Sequence, residues 1–289
     1  MTAASDIMRG RVCVITGASS GIGKATALEL ATMGATVVLV CRNPQRAEAA
    51  RTEIHETANT NAIDILLADL SSQVEIQRLA QDLLARYPQI HVLINNAGII
   101  NSKRSLTVDG IEAVFAVNHL AYFLLTHLLL ERLSASGSAR IINVASDAHQ
   151  WGILDFDDLQ NKHRYRSLRV YGQSKLCNIL FTRELARRIA GTGVTTNCLH
   201  PGGVATGLGW NNGWWAMLIA KALRPFLRSP EQGADTVIYL ATSPEVEGVN
   251  GKYFSNRREI QPSPAARDDE AARRLWRISA ELTGVASVV

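Results

Sequence analysis

The sequence predicts an α/β protein built as a single doubly wound domain, with a mainly parallel sheet and helices on both faces. Three observations support this fold class. The 289 residues suffice for one large domain. Short apolar runs alternate with helical patterns along the first half of the chain, and a glycine-rich turn at 16–23 joins the first run to the first helix. No repeat or second-domain boundary is evident, so we treat 1–289 as one domain.

The first strand, turn and helix together predict an anion-binding site. The apolar run Val12–Ile15 is typical of a buried strand, and a helical pattern extends from Ala25 to Met33. Between them lies Thr16-Gly17-Ala18-Ser19-Ser20-Gly21-Ile22-Gly23. Glycine at such a turn tolerates positive φ and lets a ligand approach the backbone, while the helix N-terminus attracts negative charge. We therefore expect a phosphate group to bind here.

The spacing of this turn differs from two common glycine loops. A P-loop would need glycine in place of Ala18, and Ser or Thr in place of Ala25 directly after Lys24. The glycines run G-x-x-x-G-x-G, which also differs from the dinucleotide fingerprint G-x-G-x-x-G. From these residues alone, a connecting turn without a ligand is the alternative.

The elements that follow alternate between strand and helix. Strands are short β-branched or aliphatic runs, and helices begin at polar caps and end near glycine or proline. The predicted strands are Thr36–Cys41, Ile63–Ala68, Val92–Ile94, Arg140–Ala145, Val194–Leu199 and Tyr253-Phe254. The predicted helices are Pro44–Ala58 after Asn43, one capped by Ser71 and ended by Pro88, Val108–Leu133, Leu168–Ala190, one capped by Ser229, and Asp268–Leu282. The remaining segments are an irregular connection at 147–166, a tryptophan-rich stretch at 204–228 and a C-terminal extension at 257–289.

Composition excludes several classes of function. The net charge of +4 is not concentrated in long basic runs, so we expect no nucleic-acid partner. The four cysteines lack C-x-x-C spacing, and no histidine pattern suits a metal, so we expect reduced thiols and no metal site. Met1–Arg9 does not resemble a secretory signal, and no apolar run reaches the roughly 18 residues of a membrane span. The sequence therefore predicts a cytoplasmic protein without a transmembrane segment.

A tyrosine and a lysine with proton-transfer chemistry lie on one predicted helix. Tyr171 and Lys175 are four residues apart and hence on the same face. An ammonium beside a phenol favours the phenolate, so we expect Lys175 to lower the pKa of Tyr171. Ser146 follows a predicted strand and could hold a reacting oxygen. Asn118 is an amide in an apolar helical stretch and needs hydrogen-bond partners.

These motifs, in this order, resemble the short-chain dehydrogenase/reductase superfamily from roughly Gly10 to Phe254. Longer phrases, among them "TVDGIEAVFAVNHLAYFLLTHLLL" and "YGQSKLCNILFTRELARR", are similar to its retinol-dehydrogenase-like branch, which includes the WW-domain-containing oxidoreductases. The motifs that carry the resemblance are Thr16 to Gly23, Asn95-Asn96-Ala97-Gly98, Asn118, Ser146, Tyr171-Gly172-Gln173-Ser174-Lys175 and Pro201-Gly202.

The resemblance implies a Rossmann domain that binds a nicotinamide cofactor and interconverts an alcohol and a carbonyl. Tyr171 would exchange the proton while hydride moves between substrate and nicotinamide. Lys175 would lower the pKa of the phenol and bind the nicotinamide ribose, Ser146 would hold the substrate oxygen, and Asn118 would position a water in a proton relay. The four form the predicted catalytic set.

The resemblance also implies a set of cofactor-binding residues. NAD-specific sites place an acid at the end of the second strand, whereas an arginine there suits the 2′-phosphate of NADP. This strand ends Val40-Cys41-Arg42-Asn43, so we predict NADP(H), with a solvated loop cation as the alternative role of Arg42. The predicted cofactor residues are Gly17, Ser19, Ser20, Gly21, Ile22, Gly23, Arg42, Asn43, Asp69, Leu70, Asn95, Ala97, Gly98, Tyr171, Lys175, Pro201, Gly202, Val204 and Thr206.

The substrate is expected to be a hydrophobic small-molecule carbonyl or alcohol. The stretch 204–228 occupies the family's variable substrate-loop position, and we predict that Trp210 and Trp214 contact the substrate together with Ser146. A peripheral membrane contact and a subunit interface in a homo-oligomer are the other interpretations of this stretch. We expect none of the N-terminal hydrophobic anchor that retinoid-active members often carry. Two other functions are a carbon–carbon double-bond reductase resembling protochlorophyllide reductase and a catalytically idle NADP(H)-binding regulator.

Overall fold

The computed structural model describes residues 6–204 and 227–286, and these form a doubly wound α/β domain around one sheet. The eight strands lie in the order β3-β2-β1-β4-β5-β6-β7-β8, and all neighbours are parallel except the antiparallel pair β7 and β8. The strands are β1 Val12–Thr16, β2 Thr36–Cys41, β3 Ile63–Leu67, β4 Val92–Asn95, β5 Ala139–Val144, β6 Val194–Leu199, β7 Tyr253–Ser255 and β8 Arg258–Ile260. The predicted fold class is therefore confirmed.

Helices cover both faces of the sheet. Those on one face bury Leu30, Ile54 and Val237 in a common core, and those on the other pack Leu83 and Phe181 against the opposite side of the strands. The helices are α1 Gly21–Thr32, α2 Pro44–Ala58, α3 Gln73–Arg86, α4 Ala113–Ala135, α5 Ser167–Arg188, α6 Pro230–Thr242 and α7 Asp269–Thr283. The order in which successive strands are added reverses between β1 and β4, so a crevice opens at the carboxyl ends of these two strands.

Most predicted elements appear within a few residues of their expected bounds, and the differences have local causes. Helix α4 begins at Ala113 rather than Val108, because the preceding residues form a small turn closed by the bridge between Leu106 and Glu112. The Glu112 carboxylate then accepts hydrogen bonds from the amides of Val114 and Phe115 and caps the helix.

The cap of α3 is also shifted by one residue. Ser72, not Ser71, caps this helix, with its hydroxyl accepting from the amide of Glu75. Ser71 instead bonds to the carboxylate of Asp69 and lies at the crevice. The antiparallel strand β8 was not predicted, since three residues give no periodic signal. The Ser229 cap is as predicted, and it forms a complete capping box with Gln232.

Helix α4 is the one described helix that could cross a membrane by length and composition. Its most apolar window has a mean hydropathy of 1.7, but 83% of that window is buried inside the protein. Leu124 and Leu129 belong to the core beneath the sheet, and Phe123 packs against Phe181 and Trp276. Its apolar character is accounted for by this packing, as in the core helix of a globular protein.

Candidate active site

A cleft of about 630 Å³ lies at the carboxyl ends of the central strands, where the strand order reverses. It brings together residues from widely separated parts of the chain, and most of the predicted site residues line it. Those that do are Gly17, Ser19, Ser20, Gly21, Ile22, Arg42, Asn43, Asp69, Leu70, Ala97, Gly98, Ser146, Tyr171, Lys175, Pro201, Gly202 and Val204. The predicted contacts Thr206, Trp210 and Trp214 lie outside the described residues.

The glycine turn forms one wall of the cleft and has no room for a side chain at Gly17. Gly17 and Gly21 adopt φ of +67° and +57°. A Cβ on Gly17 would stand 2.9 Å from Cα of Ala97. The backbone therefore stays exposed to the cleft at the start of α1, which suits a phosphate group. No group of three or more metal-ligating side chains occurs within 6–204 and 227–286.

Two residues predicted to line the cleft lie behind it. The Asn95 side chain is fully buried and donates to Thr126 Oγ1 at 3.0 Å and Asn143 Oδ1 at 2.9 Å, so it braces strands and not a ligand. A Cβ on Gly23 would lie 2.5 Å from the Gly17 carbonyl, so this glycine allows α1 to pack closely against the turn. The structure gives both residues a supporting role, and their predicted cofactor contact stays a prediction.

Asn96, within the Asn95–Gly98 motif, lines the cleft and also has a supporting role that was not predicted. Its side-chain amide donates to the carbonyl of Thr16 at 2.8 Å, and its backbone amide donates to the hydroxyl of Thr16 at 2.9 Å. These bonds hold the end of β4 against the end of β1 at the crevice. The doubled asparagine in the sequence was the available signal, because a strand end places successive side chains on opposite faces.

Two cations lie at the far end of the cleft from Tyr171. Arg42 is exposed, and its guanidinium lies 4.0 Å from the carboxylate of Asp69. Asn43 caps α2 by accepting the amide of Arg46 at 2.8 Å, as predicted, and this cap places Arg46 in the first turn of the helix. Arg46 also lines the cleft and was missed, although its position three residues after the cap would have indicated it. No acid stands at the end of β2.

Asn118 lies in a π-helical turn, Ala116–Leu120, within helix α4. Its carbonyl oxygen accepts the amide of Ile99 at 2.8 Å, and its amide nitrogen donates to the Ile99 carbonyl and the Ser174 hydroxyl, both at 3.0 Å. Ser174 in turn donates to the backbone carbonyl of Tyr171. The Asn118 side chain is fully buried and does not line the cleft, so it connects the loop after β4 to the helix that carries the tyrosine.

Lys175 lies beside Tyr171 as predicted, and burial dominates the chemistry of both. The lysine ammonium is 5.7 Å from the centre of the tyrosine ring and donates to the Val144 carbonyl at 2.8 Å. Burial raises the pKa of Tyr171 to about 12, although the hydrogen bond with the Ser146 hydroxyl lowers it. Burial also lowers the pKa of Lys175 to about 7. The pKa of Tyr171 therefore lies above its ordinary value and not below it as expected, because desolvation outweighs the hydrogen bond from Ser146.

The turn that follows Ser146 packs closely against the helix that carries Tyr171. Ser146 begins a 3₁₀ turn, Asp147–Trp151, which ends at Gly152. A Cβ on Gly152 would lie 2.5 Å from the carbonyl of Gly172, and a Cβ on Gly172 would lie 2.5 Å from the carbonyl of Ala148. The turn after the serine therefore touches the backbone of α5 directly, one residue after Tyr171.

The doubly wound sheet, the glycine turn at its switch point and the tyrosine–lysine pair facing it define an oxidoreductase of the Rossmann class. The chain belongs to the short-chain dehydrogenase/reductase family, whose members act on CH–OH groups; the family profile described as short chain dehydrogenase matches residues 11–215. The predicted superfamily is therefore confirmed.

Similar proteins support the predicted branch of the family. The chain is 45% identical to retinol dehydrogenase 12 of Mus musculus over 276 residues, covering 96% of this chain and 87% of that protein. It is 43% identical to human retinol dehydrogenase 13, covering 96% and 85%. An uncharacterised protein of Mycobacterium paratuberculosis superposes with a TM-score of 0.79 at 32% identity, covering 98% and 96%. RhlG of Pseudomonas aeruginosa, solved as an NADP active-site complex, gives a TM-score of 0.69 at 26% identity, covering 88% and 97%.

Proposed function

We propose that this protein is an NADP(H)-dependent oxidoreductase that interconverts a hydrophobic alcohol with its aldehyde or ketone. The observation that carries the proposal is the single cleft in which the glycine turn, Arg42, Ser146, Tyr171 and Lys175 all meet. Bound NADP(H) would supply or accept the hydride. The chain itself would provide the proton, the anchor for the reacting oxygen and the shape of the site.

Tyr171 is the proposed proton donor to a carbonyl oxygen and the acceptor from an alcohol. Its raised pKa keeps the proton on the phenol oxygen at neutral pH, which suits carbonyl reduction. The Ser146 hydroxyl, hydrogen-bonded to this phenol, would hold the substrate oxygen at the same place. Lys175 would stabilise the phenolate left after transfer, since an ammonium close to the ring offsets the developing charge.

NADP(H) rather than NAD(H) is favoured by the charge at the cleft's far end. Arg42 and Arg46 both line it, and the strand end lacks the acid that would bind a free ribose 2′-hydroxyl. Guanidinium groups bind phosphate through charge-assisted hydrogen bonds. RhlG, a structural relative, is described with NADP in its active site, which supports the same choice here.

The apolar lining of the cleft supports a hydrophobic substrate. Ile99, Leu106 and Val117 line the cleft, and relatives in the same branch are named retinol dehydrogenases. The proposed contacts from Trp210 and Trp214 would extend this apolar surface.

A reduced, cytoplasmic setting is part of the proposal. The four cysteines of the chain lie within the described residues, and all are free and buried. Burial raises the pKa of Cys41 to about 11, which keeps this cleft-lining thiol protonated and weakly reactive. The membrane contact and the subunit interface predicted for the tryptophan-rich stretch stay predictions.

The proposal is tested by following NADPH absorbance at 340 nm with a panel of retinoid, steroid, quinone and aliphatic carbonyl compounds. We expect turnover of at least one apolar carbonyl and oxidation of the matching alcohol with NADP⁺. An NADPH-binding protein without turnover on any member of the panel would favour the idle regulator. Reduction confined to conjugated carbon–carbon double bonds would favour the double-bond reductase.

Replacing Arg42 with Ala should weaken NADPH binding about 10- to 100-fold while leaving NADH binding nearly unchanged, because only NADPH carries the 2′-phosphate. Kd values from the quenching of protein fluorescence would measure both. The matched control is Arg51→Ala on helix α2, where the arginine pairs with Glu48 and does not line the cleft. Equal losses for the two cofactors, or wild-type preference for NADH, would contradict the assignment.

A further inference from the structure

A buried histidine stands directly behind the proposed substrate anchor. His149 belongs to the 3₁₀ turn that Ser146 begins, is 2% exposed and does not line the cleft. Its Nδ1 lies 2.8 Å from the backbone carbonyl oxygen of Ser146. Its Nε2 lies 3.1 Å from the backbone amide of Ser263, in the C-terminal extension. One imidazole therefore joins the active-site turn to a segment more than one hundred residues later.

These two contacts determine where the ring carries its proton. The Ser263 amide can only donate, so Nε2 must accept and is unprotonated. The Ser146 carbonyl can only accept, so Nδ1 carries the hydrogen and donates to it. The neutral ring satisfies both partners at once. A second proton on Nε2 would face the Ser263 amide as a second donor and break that bond.

We propose that His149 is a positioning residue for Ser146. Its Nδ1 hydrogen bond holds the carbonyl of Ser146 in place, and its Nε2 hydrogen bond with the Ser263 amide fixes the imidazole ring. The inference rests on the proposed function, because Ser146 is assigned there as the anchor of the substrate oxygen. Within this turn, Ser146 makes few other hydrogen bonds that fix its position. Its hydroxyl accepts the Ala148 amide at 3.2 Å, and its carbonyl also accepts the His149 backbone amide at 3.1 Å.

The groups around His149 suit a neutral, fixed ring. Tyr253 on β7 packs edge-on at 5.2 Å between ring centres, with its hydroxyl 3.4 Å from Nδ1. Asp147, in the same turn, favours the protonated ring and so raises the pKa of His149. His149 in turn lowers the pKa of His200, which lies beyond β6. Burial is the largest effect and lowers the pKa of His149, so the ring stays neutral near pH 7.

Three substitutions separate the two hydrogen bonds. In His149→Asn the amide nitrogen is attached at Cγ, like Nδ1, and can still donate to the Ser146 carbonyl. In His149→Gln the terminal amide reaches toward the Nε2 position and can accept only from Ser263. His149→Phe keeps an aromatic ring and makes neither bond. We expect kcat of the Asn variant within about threefold of wild type, and kcat of the other two about 10- to 100-fold lower with unchanged Kd for NADPH, because misplacing a substrate anchor mainly affects turnover.

A matched control separates a local effect at Ser146 from general destabilisation. His91→Gln is the matched control, because this buried histidine accepts the Val12 amide at the opposite end of the sheet. It should lower Tm and leave kcat unchanged.

Hydrogen exchange makes the test independent of turnover. The amides of residues 148 and 149 both donate to Ser146, so their protection should fall in the Gln and Phe variants and persist in the Asn variant. If wild type shows no turnover, the proposed function is wrong. The exchange pattern of the variants still shows whether His149 positions Ser146. Equal losses of kcat and protection in all three variants, or wild-type values in the Phe variant, would overturn the inference. If the Phe variant does not fold, the contrast between Asn and Gln decides.

Discussion

Tyr171→Phe is expected to lower kcat for carbonyl reduction about 10²- to 10⁴-fold, the range that removal of a general acid typically costs. The phenol oxygen is the group in the cleft that can pass a proton to the substrate oxygen and is hydrogen-bonded to Ser146. Phenylalanine keeps the ring, so the packing beside Lys175 should persist. The measurement is kcat and KM with the best carbonyl of the panel, together with Kd for NADPH.

The control for this substitution is Tyr239→Phe. Tyr239 is a surface residue whose hydroxyl donates to Glu245 at 3.0 Å, so loss of that hydroxyl should leave kcat at the wild-type value. Binding of NADPH should be retained in both variants. Full activity of Tyr171→Phe would show that the proton comes from another group, and the assigned role of the tyrosine would be withdrawn.

Lys175→Met is expected to change activity and stability in opposite directions. The lysine is 3% exposed, and in the described structure it makes one hydrogen bond, to the Val144 carbonyl. Loss of the ammonium beside Tyr171 should lower kcat about 10²-fold or more. Methionine has a similar length and no charge to desolvate, so the variant should unfold at a higher urea concentration than wild type at pH 6.

The pH dependence of this stability difference follows from the lysine's pKa. It is 10.5 in an exposed chain and about 7 in the folded protein, so between these values the unfolded state binds more protons. Wild-type stability therefore rises as pH increases from 7 toward 10, by about 4 kcal/mol at most, and the cost is fully present below pH 7. Lys175→Met should lack this rise.

Urea unfolding at pH 6 and pH 9 measures the effect. The difference between Lys175→Met and wild type should be largest at pH 6 and shrink at pH 9. Lys252→Met is the control, because this exposed lysine pairs with Glu259 on the surface and should give the same small difference at both values. A variant less stable than wild type at pH 6 would contradict the account of a costly buried charge.

Much of the fold could be predicted because strand and helix signals are local. The bounds of β2 and β6 were predicted to the residue, since β-branched runs flanked by turn residues leave little choice. Strand β8 escaped prediction because its pairing with β7 is a tertiary contact with no periodic signature. The start of α4 depended on the Glu112 carboxylate, whose capping role requires the bridge formed before it.

The site was predicted in identity more than in geometry. Ser146, Tyr171 and Lys175 meet in the cleft as predicted. Their identities could be predicted from the resemblance, and their meeting from the order of the strands. The side chain of Asn95 faces the interior and not the cleft. Successive side chains of a strand point to opposite faces, so an error of one residue at a strand end changes which side chain lines the cleft. The direction of the Tyr171 pKa was mispredicted because proximity can be inferred from spacing, whereas desolvation depends on everything packed around the pair.

The close contact between Gly152 and Gly172 has a consequence for protein engineering. Because no side chain fits between these two backbones, the serine's turn and the tyrosine's helix are spaced by main chain alone. Directed evolution can therefore diversify the stretch at 204–228, the predicted substrate loop, without changing the spacing between the proposed proton donor Tyr171 and the proposed oxygen anchor Ser146. Libraries that keep positions 152 and 172 as glycine should retain chemistry while substrate preference changes, and libraries that vary either position should yield few active clones.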